Sequence, residues 1–462
     1  FALYRQGIET RLLLFMKEKL TKKELVCIAS MLFGLFFGAG NLIFPIYMGQ
    51  LAGANMWKAV AGFLITGVGL PLLGVTAIGI SRSDGLIELS RKVGKGYSVF
   101  FTCALYLTIG PFFAIPRCAT VPFTVGVEPI IAGGGSPFAL TIFSAVFFAA
   151  VLAFSLYPGQ ILTWVGKILN PLFLIFLGTL VVAALIKPMG TIWDVEPIKG
   201  YASRAFMTGF FEGYNTMDAL ASLAFGIVII DVIRGLGISS AGAVAKTTVH
   251  AGIFSCIIMS VIYVAVTVVG AQSRNIFEVC SNGSEVFALA AKHYFGSVGA
   301  VILAVTVVFA CLKTAVGLVT SCSETFCKLF PKAFAYKTWA VIFSCVSFLV
   351  ANVGLDMIIE YAVPVLMFLY PLAITLILLG IFGNAFGHSR YVYGFVTGFT
   401  LFAAVFDFFG ALPEYAIKLL HIGGVLEIAQ RTLPFSSYGL GWIVPAAIGL
   451  LIGFFVYKVK KA

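Results

Sequence analysis

Charge is scarce in this chain of 462 residues: Asp, Glu, Lys and Arg together make up 11% of it, less than half the share of about 25% in soluble domains. That scarcity excludes a soluble globular protein. HExxH, CxxC and Walker A sequences are all absent, so ATP hydrolysis is not expected as an energy source within this chain. No cofactor and no enzymatic activity are expected. Of nine cysteines, most fall in apolar stretches and only Cys280 lies in a predicted outer loop, so no disulfide framework is expected. The net charge of +11 would suggest a nucleic-acid partner in a soluble chain, but its distribution along this one has another cause, and no nucleic acid is expected.

What is abundant is apolar: 60% of the residues are hydrophobic. At roughly 20 apolar residues per bilayer crossing, twelve spans are expected, at about 25–48, 56–80, 97–126, 137–157, 161–186, 202–232, 243–271, 298–325, 336–353, 356–383, 391–411 and 440–457. The fold class is therefore all-α integral membrane, with the lipid bilayer as a partner and no soluble domain between spans. With both termini inside, nineteen Lys and Arg fall on the inner side, among them Lys17, Lys22, Lys23, Lys92, Lys95, Lys458, Lys460 and Lys461, against seven in the outer loops. The positive-inside rule then places the N- and C-termini in the cytoplasm of a multi-pass plasma-membrane protein. Residues 1–15 precede Met16-Lys17-Glu18-Lys19, which looks like a natural start, and are read as an upstream extension outside the fold.

Two spans cannot be unbroken helices. Span 1 carries Gly34 and the run Gly38-Ala39-Gly40-Asn41-Leu42-Ile43-Phe44-Pro45, and each glycine costs a helix interior about 1 kcal/mol and the proline about 3. Span 6 carries Gly209-Phe210-Phe211-Glu212-Gly213-Tyr214-Asn215-Thr216-Met217-Asp218, with two carboxylates in an apolar helix. Unpaired backbone in hydrocarbon is tolerated only where it lines a protein-enclosed site. The free N–H groups at such a break suit a carboxylate, and the free C=O groups suit an ammonium or a cation. Two breaks five spans apart predict an internal duplication, inverted because five is odd. The transport core is expected over 16–383, with repeats at about 24–186 and 202–383, and 384–462 as two additional C-terminal helices.

The Gly38–Pro45 segment resembles the first-helix break of LeuT-type transporters in the APC superfamily. Together with Glu212-Gly213-Tyr214-Asn215-Thr216-Met217-Asp218 it resembles the bacterial branched-chain amino acid:cation symporter family, over essentially Met16 to Lys461. The resemblance implies a five-plus-five inverted repeat with discontinuous helices 1 and 6. It also implies sodium-coupled import of leucine, isoleucine or valine by alternating access. By the same likeness the Ala39 and Gly40 amides would receive the substrate carboxylate, with Asn41 beside it. Phe211, Glu212, Gly213, Tyr214 and Thr216 would complete the substrate site, the carbonyls from Phe211 to Tyr214 facing the ammonium. Sodium (Na+) would be held by Thr320 and Ser321 of span 8 and by the carbonyls of Gly34 and Phe37. An apolar wall is expected from Tyr106, Ile109, Phe112, Phe210, Phe211 and Tyr214.

Charges in hydrocarbon each cost about 2.5–3.5 kcal/mol on insertion scales and demand an account. Glu212 and Asp218 flank the second break, Arg117 lies in span 3, and Lys313 in span 8 is open to pairing with Glu360 or Asp218. Lys167 in span 5 either snorkels to the inner surface or serves a proton-coupled alternative in place of sodium. A non-pumping amino acid-binding membrane protein is the remaining alternative.

Overall fold

The computed structural model describes residues 20–81, 83, 85–128, 136–156, 170–238 and 240–461, and every regular element among them is helical. Residues 1–15 and Lys167 lie outside the described residues. Among the described residues eight helices are long and apolar enough to cross a membrane, and shorter apolar helices accompany them. Span 1 is α1 (Lys22–Phe36) and α2 (Ala39–Ala52). Span 2 is α3 (Met56–Leu64) and α4 (Leu70–Ile80), joined by a π-turn at Ile65–Gly69. After the short α5 (Leu86–Arg91), span 3 is α6 (Lys95–Leu107) and α7 (Ala114–Pro122). Then follow α8 (Pro137–Leu156) and α9 (Asn170–Ile186). Span 6 is α10 (Gly200–Glu212) and α11 (Asp218–Gly235). The remaining spans are α12 (Ala241–Ser273), α13 (Gly283–Leu329), α14 (Tyr336–Ala351), α15 (Leu355–Phe382), α16 (Arg390–Gly410) and, after two short surface helices, α19 (Ile443–Lys461).

The first break is shorter than expected and lies upstream of most of its motif. Only Phe37 and Gly38 are extended, and Gly40 to Pro45 are helical. Asn41 explains the restart: its Oδ1 accepts from the Gly38 amide at 2.8 Å, the reach-back half of a capping box that satisfies an otherwise orphaned donor. Span 6 breaks where expected, through a 3₁₀ turn at Gly213–Thr216 and a left-handed Met217 (φ 62°). Span 3 carries a third, unforeseen break: Gly110 leaves helical geometry (φ −95°, ψ −124°) just before Pro111, where a proline ring clashes with the preceding turn. Expected span 8 is the C-terminal part of the 47-residue α13, which kinks at Gly296 (φ 62°).

The packing is reciprocal. Both halves of span 1 lie on α12, while the two halves of span 6 lie on span 2, α10 on α3 and α11 on α4. The long α13 packs on α7, α8, α14 and α2, so span 3 and span 8 close the other side of the breaks. Glycines bring α2 and α12 to backbone contact: a Cβ on Gly49 would strike the Thr267 carbonyl, and one on Gly270 the Ile46 carbonyl. Neither backbone can yield, so Gly270→Val should be destabilised by about 1–3 kcal/mol or more. The check is the melting temperature of the purified variant in detergent, which should fall well below wild type.

Candidate functional site

Five segments converge midway along the bundle: the Phe37–Gly38 break, the first turn of α2, the start of α7, the Thr216–Asp218 break and the middle of α13. They enclose a cavity of about 50 Å³, smaller than a leucine molecule in this conformation. Its polar side is formed by Ala39, Gly40, Asn41, Arg117, Thr216 and Asp218, and its apolar side by Phe36, Ile109, Ala114, Phe225 and Leu318.

Asn41 and Asp218 tie the two broken helices together. Both are almost fully buried, at 2% and 3% exposure. Asn41 Nδ2 donates to Asp218 Oδ2 at 2.5 Å and also to the Tyr263 hydroxyl of α12. Asp218 is the first residue of α11, where a carboxylate is favoured by the helix dipole. Its amide lies 3.4 Å from Thr216 Oγ1, which itself donates to the Gly213 carbonyl at 2.9 Å. These hydrogen bonds offset part of the cost of burying the carboxylate.

Arg117 enters from the kinked third span. Its Nη1 donates to the Asn215 carbonyl at 2.8 Å, and its guanidinium carbon sits 5.3 Å from the centre of the Phe44 ring. Asp218 attracts it electrostatically, yet among the described residues the two form no direct ion pair. Lys313 does not pair with Asp218, whose carboxylate is taken by Asn41 beside Tyr263 and Thr216.

The expected site residues divide. Ala39, Gly40, Asn41 and Thr216 meet in the cavity. Phe211, Glu212 and Tyr214 instead line a separate, larger cavity of about 480 Å³, shared with Arg204, Met367 and Asp407. Tyr214, on the wall of the larger cavity, is stacked on Tyr370, ring centres 3.7 Å apart at 10°. Gly213 is packed on span 2, where a Cβ would strike Thr66 Oγ1. Of the expected apolar wall only Ile109 lines the small cavity: Phe112 is 42% exposed, Tyr106 donates to the Ala224 carbonyl, and Phe210 packs on Phe211 and Tyr214.

Gly34 and Phe37 stand at the end of α1, where carbonyls of the last turn have no intrahelical donor. Thr320 and Ser321 are not among the residues that line the cavity at the break. The Tyr336 hydroxyl lies 3.4 Å from Thr320 Oγ1, and Ser321 lies beside the Tyr106 side chain. Thr314 of α13 is the hydroxyl at the break, its methyl 3.4 Å from where a Gly38 Cβ would stand. Thr314 and Ser321 share a helix face but sit seven residues apart, about 10 Å along the axis. The residues not anticipated for the site are thus Thr314, Tyr263 and Tyr370. Each is an ordinary Thr or Tyr in an apolar helix, with no local signal to single it out.

A family model for branched-chain amino acid transport proteins matches residues 21–460. The branched-chain amino acid permease BrnQ of Lactobacillus delbrueckii subsp. lactis is 50% identical over 94% of this chain and 96% of its own length. BrnQ of Bacillus subtilis is 44% identical over 97% and 100%. The branched-chain amino acid transport system 2 carrier protein of Pseudomonas aeruginosa is 40% identical over 93% and 95%. Among solved structures, the inward-facing conformation of Mhp1 aligns with a TM-score of 0.62 at 14% identity, over 94% of this chain and 91% of that one. MhsT in complex with L-phenylalanine aligns at 0.56 and 15% identity, over 95% and 98%. These likenesses show the LeuT-type fold.

Proposed function

This chain belongs to the family of branched-chain amino acid transport proteins, and on that premise we propose that it imports leucine, isoleucine and valine by sodium symport. The single observation that carries the site is the junction of Asn41 with Asp218, which joins two helix breaks around one buried cavity. The substrate sits there, its carboxylate toward the Ala39 and Gly40 amides of α2 and its ammonium toward Asp218. The apolar side formed by Phe36, Ile109, Ala114, Phe225 and Leu318 takes the branched side chain. A wall of that kind separates side chains differing by one methylene by only about 1–3 kcal/mol, so the three substrates compete with one another.

Sodium is held between the free carbonyls at the end of α1, from Gly34 to Phe37, and the Thr314 hydroxyl, hard oxygen donors suited to an alkali cation. Both termini face the cytoplasm of the plasma membrane, in keeping with the distribution of Lys and Arg. Rocking of spans 1, 2, 6 and 7 against spans 3, 4, 8 and 9 exposes the cavity to either side, and the two halves of the core are inverted repeats. The small cavity belongs to a state in which substrate is excluded. Leucine binding measured by calorimetry at fixed pH tests the coupling. Affinity should rise at least about 10-fold as sodium replaces choline, whereas equal affinity in the two salts would remove sodium from the mechanism.

A further inference from the structure

The cavity contains one cation with unspent hydrogen-bonding capacity. Arg117 is 3% exposed, and while its Nη1 donates to the Asn215 carbonyl, its Nε–H has no hydrogen-bond partner among the described residues. A buried guanidinium N–H without an acceptor is unusual and costly. The same side chain lines the cavity beside Ala39, Gly40 and Asp218. The amides of Ala39 and Gly40 open a helix of 14 residues, so a positive helix end and a fixed cation face the same space. Asp218 brings one negative charge to it without pairing directly with Arg117.

We propose that Arg117 is a substrate-binding residue: its Nε–H, with the Ala39 and Gly40 amides, holds the carboxylate of an amino acid whose ammonium lies on Asp218. The inference rests on the transport reading above and assigns recognition of the zwitterion to two side chains of opposite charge. A zwitterion fits such a pair because both fixed charges gain a partner and no net charge is added to the buried site. A compound with only one of the two charged groups leaves Arg117 or Asp218 unanswered. Arg117 also fixes geometry, since its bond to Asn215 and its place over Phe44 join span 3 to both breaks. The hydrogen bond to a charged group is worth about 10- to 100-fold in affinity.

The test uses the full chain purified in detergent with sodium present, and compares leucine with leucinol, which lacks the carboxylate, and with 4-methylpentanoate, which lacks the ammonium. Wild type should prefer leucine to leucinol by at least about 10-fold. Arg117→Gln should bring that preference to within about 3-fold by losing leucine affinity, leave leucinol affinity unchanged, and keep the preference over 4-methylpentanoate. Equal weakening of leucine and leucinol would make Arg117 a structural staple and overturn the inference, as would a full preference retained by the variant. Should Arg117→Gln fail to fold, Arg117→Lys, which keeps a cation but gives up the Nε–H, is read in the same way. Its preference should fall at least about 3-fold, and an unchanged preference or an equal loss for both ligands overturns the inference. Wild type that binds no leucine at all overturns the transport reading and this inference with it, whereas every other adverse result strikes the inference alone.

Discussion

Asn41→Ala is expected to reduce sodium-stimulated leucine uptake by about 30-fold or more while the protein still reaches the membrane. The Asn41 amide serves three partners, the Gly38 amide, the Asp218 carboxylate and the Tyr263 hydroxyl. Truncation leaves the Asp218 carboxylate buried without its principal donor, and leaving a buried charged acceptor unsatisfied costs about 1–3 kcal/mol or more. It also removes the bond by which α2 restarts at Ala39, so the amides that face the cavity lose their orientation. Asn41→Asp separates these effects. It keeps the acceptor for the Gly38 amide but sets a second carboxylate against Asp218, and uptake should fall as far as with Ala. Uptake by either variant within about 2-fold of wild type, measured in proteoliposomes at equal protein, would remove Asn41 from the site.

Thr314→Val should raise the sodium concentration for half-maximal leucine uptake by about 10-fold, the effect of losing one oxygen partner worth about 1–1.5 kcal/mol. Valine keeps the shape of threonine, so packing against Gly38 is preserved and the loss is confined to the hydroxyl. Thr320→Val and Ser321→Ala should shift the same quantity less than about 2-fold, since these hydroxyls lie about two turns further along α13 beside Tyr336 and Tyr106. The comparison is decided by sodium titrations of uptake at clamped pH. A large shift for Thr320 or Ser321 with none for Thr314 would move the ion toward the C-terminal end of α13.

The contrast between Thr314 and Thr320 marks where sequence reasoning stops. A hydroxyl in span 8 is legible as a hard donor, but which turn meets the break depends on how deep α13 sits. That depth follows from its 47-residue length and its kink at Gly296, neither of which the apolar run from 298 reveals. The broken first span was legible because clustered glycine and proline free backbone groups that hydrocarbon cannot satisfy and the protein must enclose. Its point of interruption was not, because the Asn41 side chain reaches back to Gly38 and lets Gly40 to Pro45 stay helical. Span 3 illustrates the opposite case: Gly110-Pro111 was in plain view as a helix breaker, yet the span reads as one apolar run. Arg117 was legible only as a costly charge, since its partners lie on Asn215 and Phe44, far away in sequence. That Glu212, Phe211 and Tyr214 line the larger cavity was hidden for a similar reason. A 3₁₀ turn rotates α10 relative to α11, so residues adjoining one break face two different cavities.

The central claim is that leucine accumulates at the expense of a sodium gradient through the cavity between the two breaks. Labelled leucine uptake into proteoliposomes, with pH equal and buffered on both sides, addresses it most directly. An inward sodium gradient should drive transient accumulation above the external leucine concentration, abolished by Asn41→Ala and absent when choline replaces sodium. Accumulation driven equally well by a proton gradient without sodium, or equilibration that never exceeds the external concentration, would contradict it.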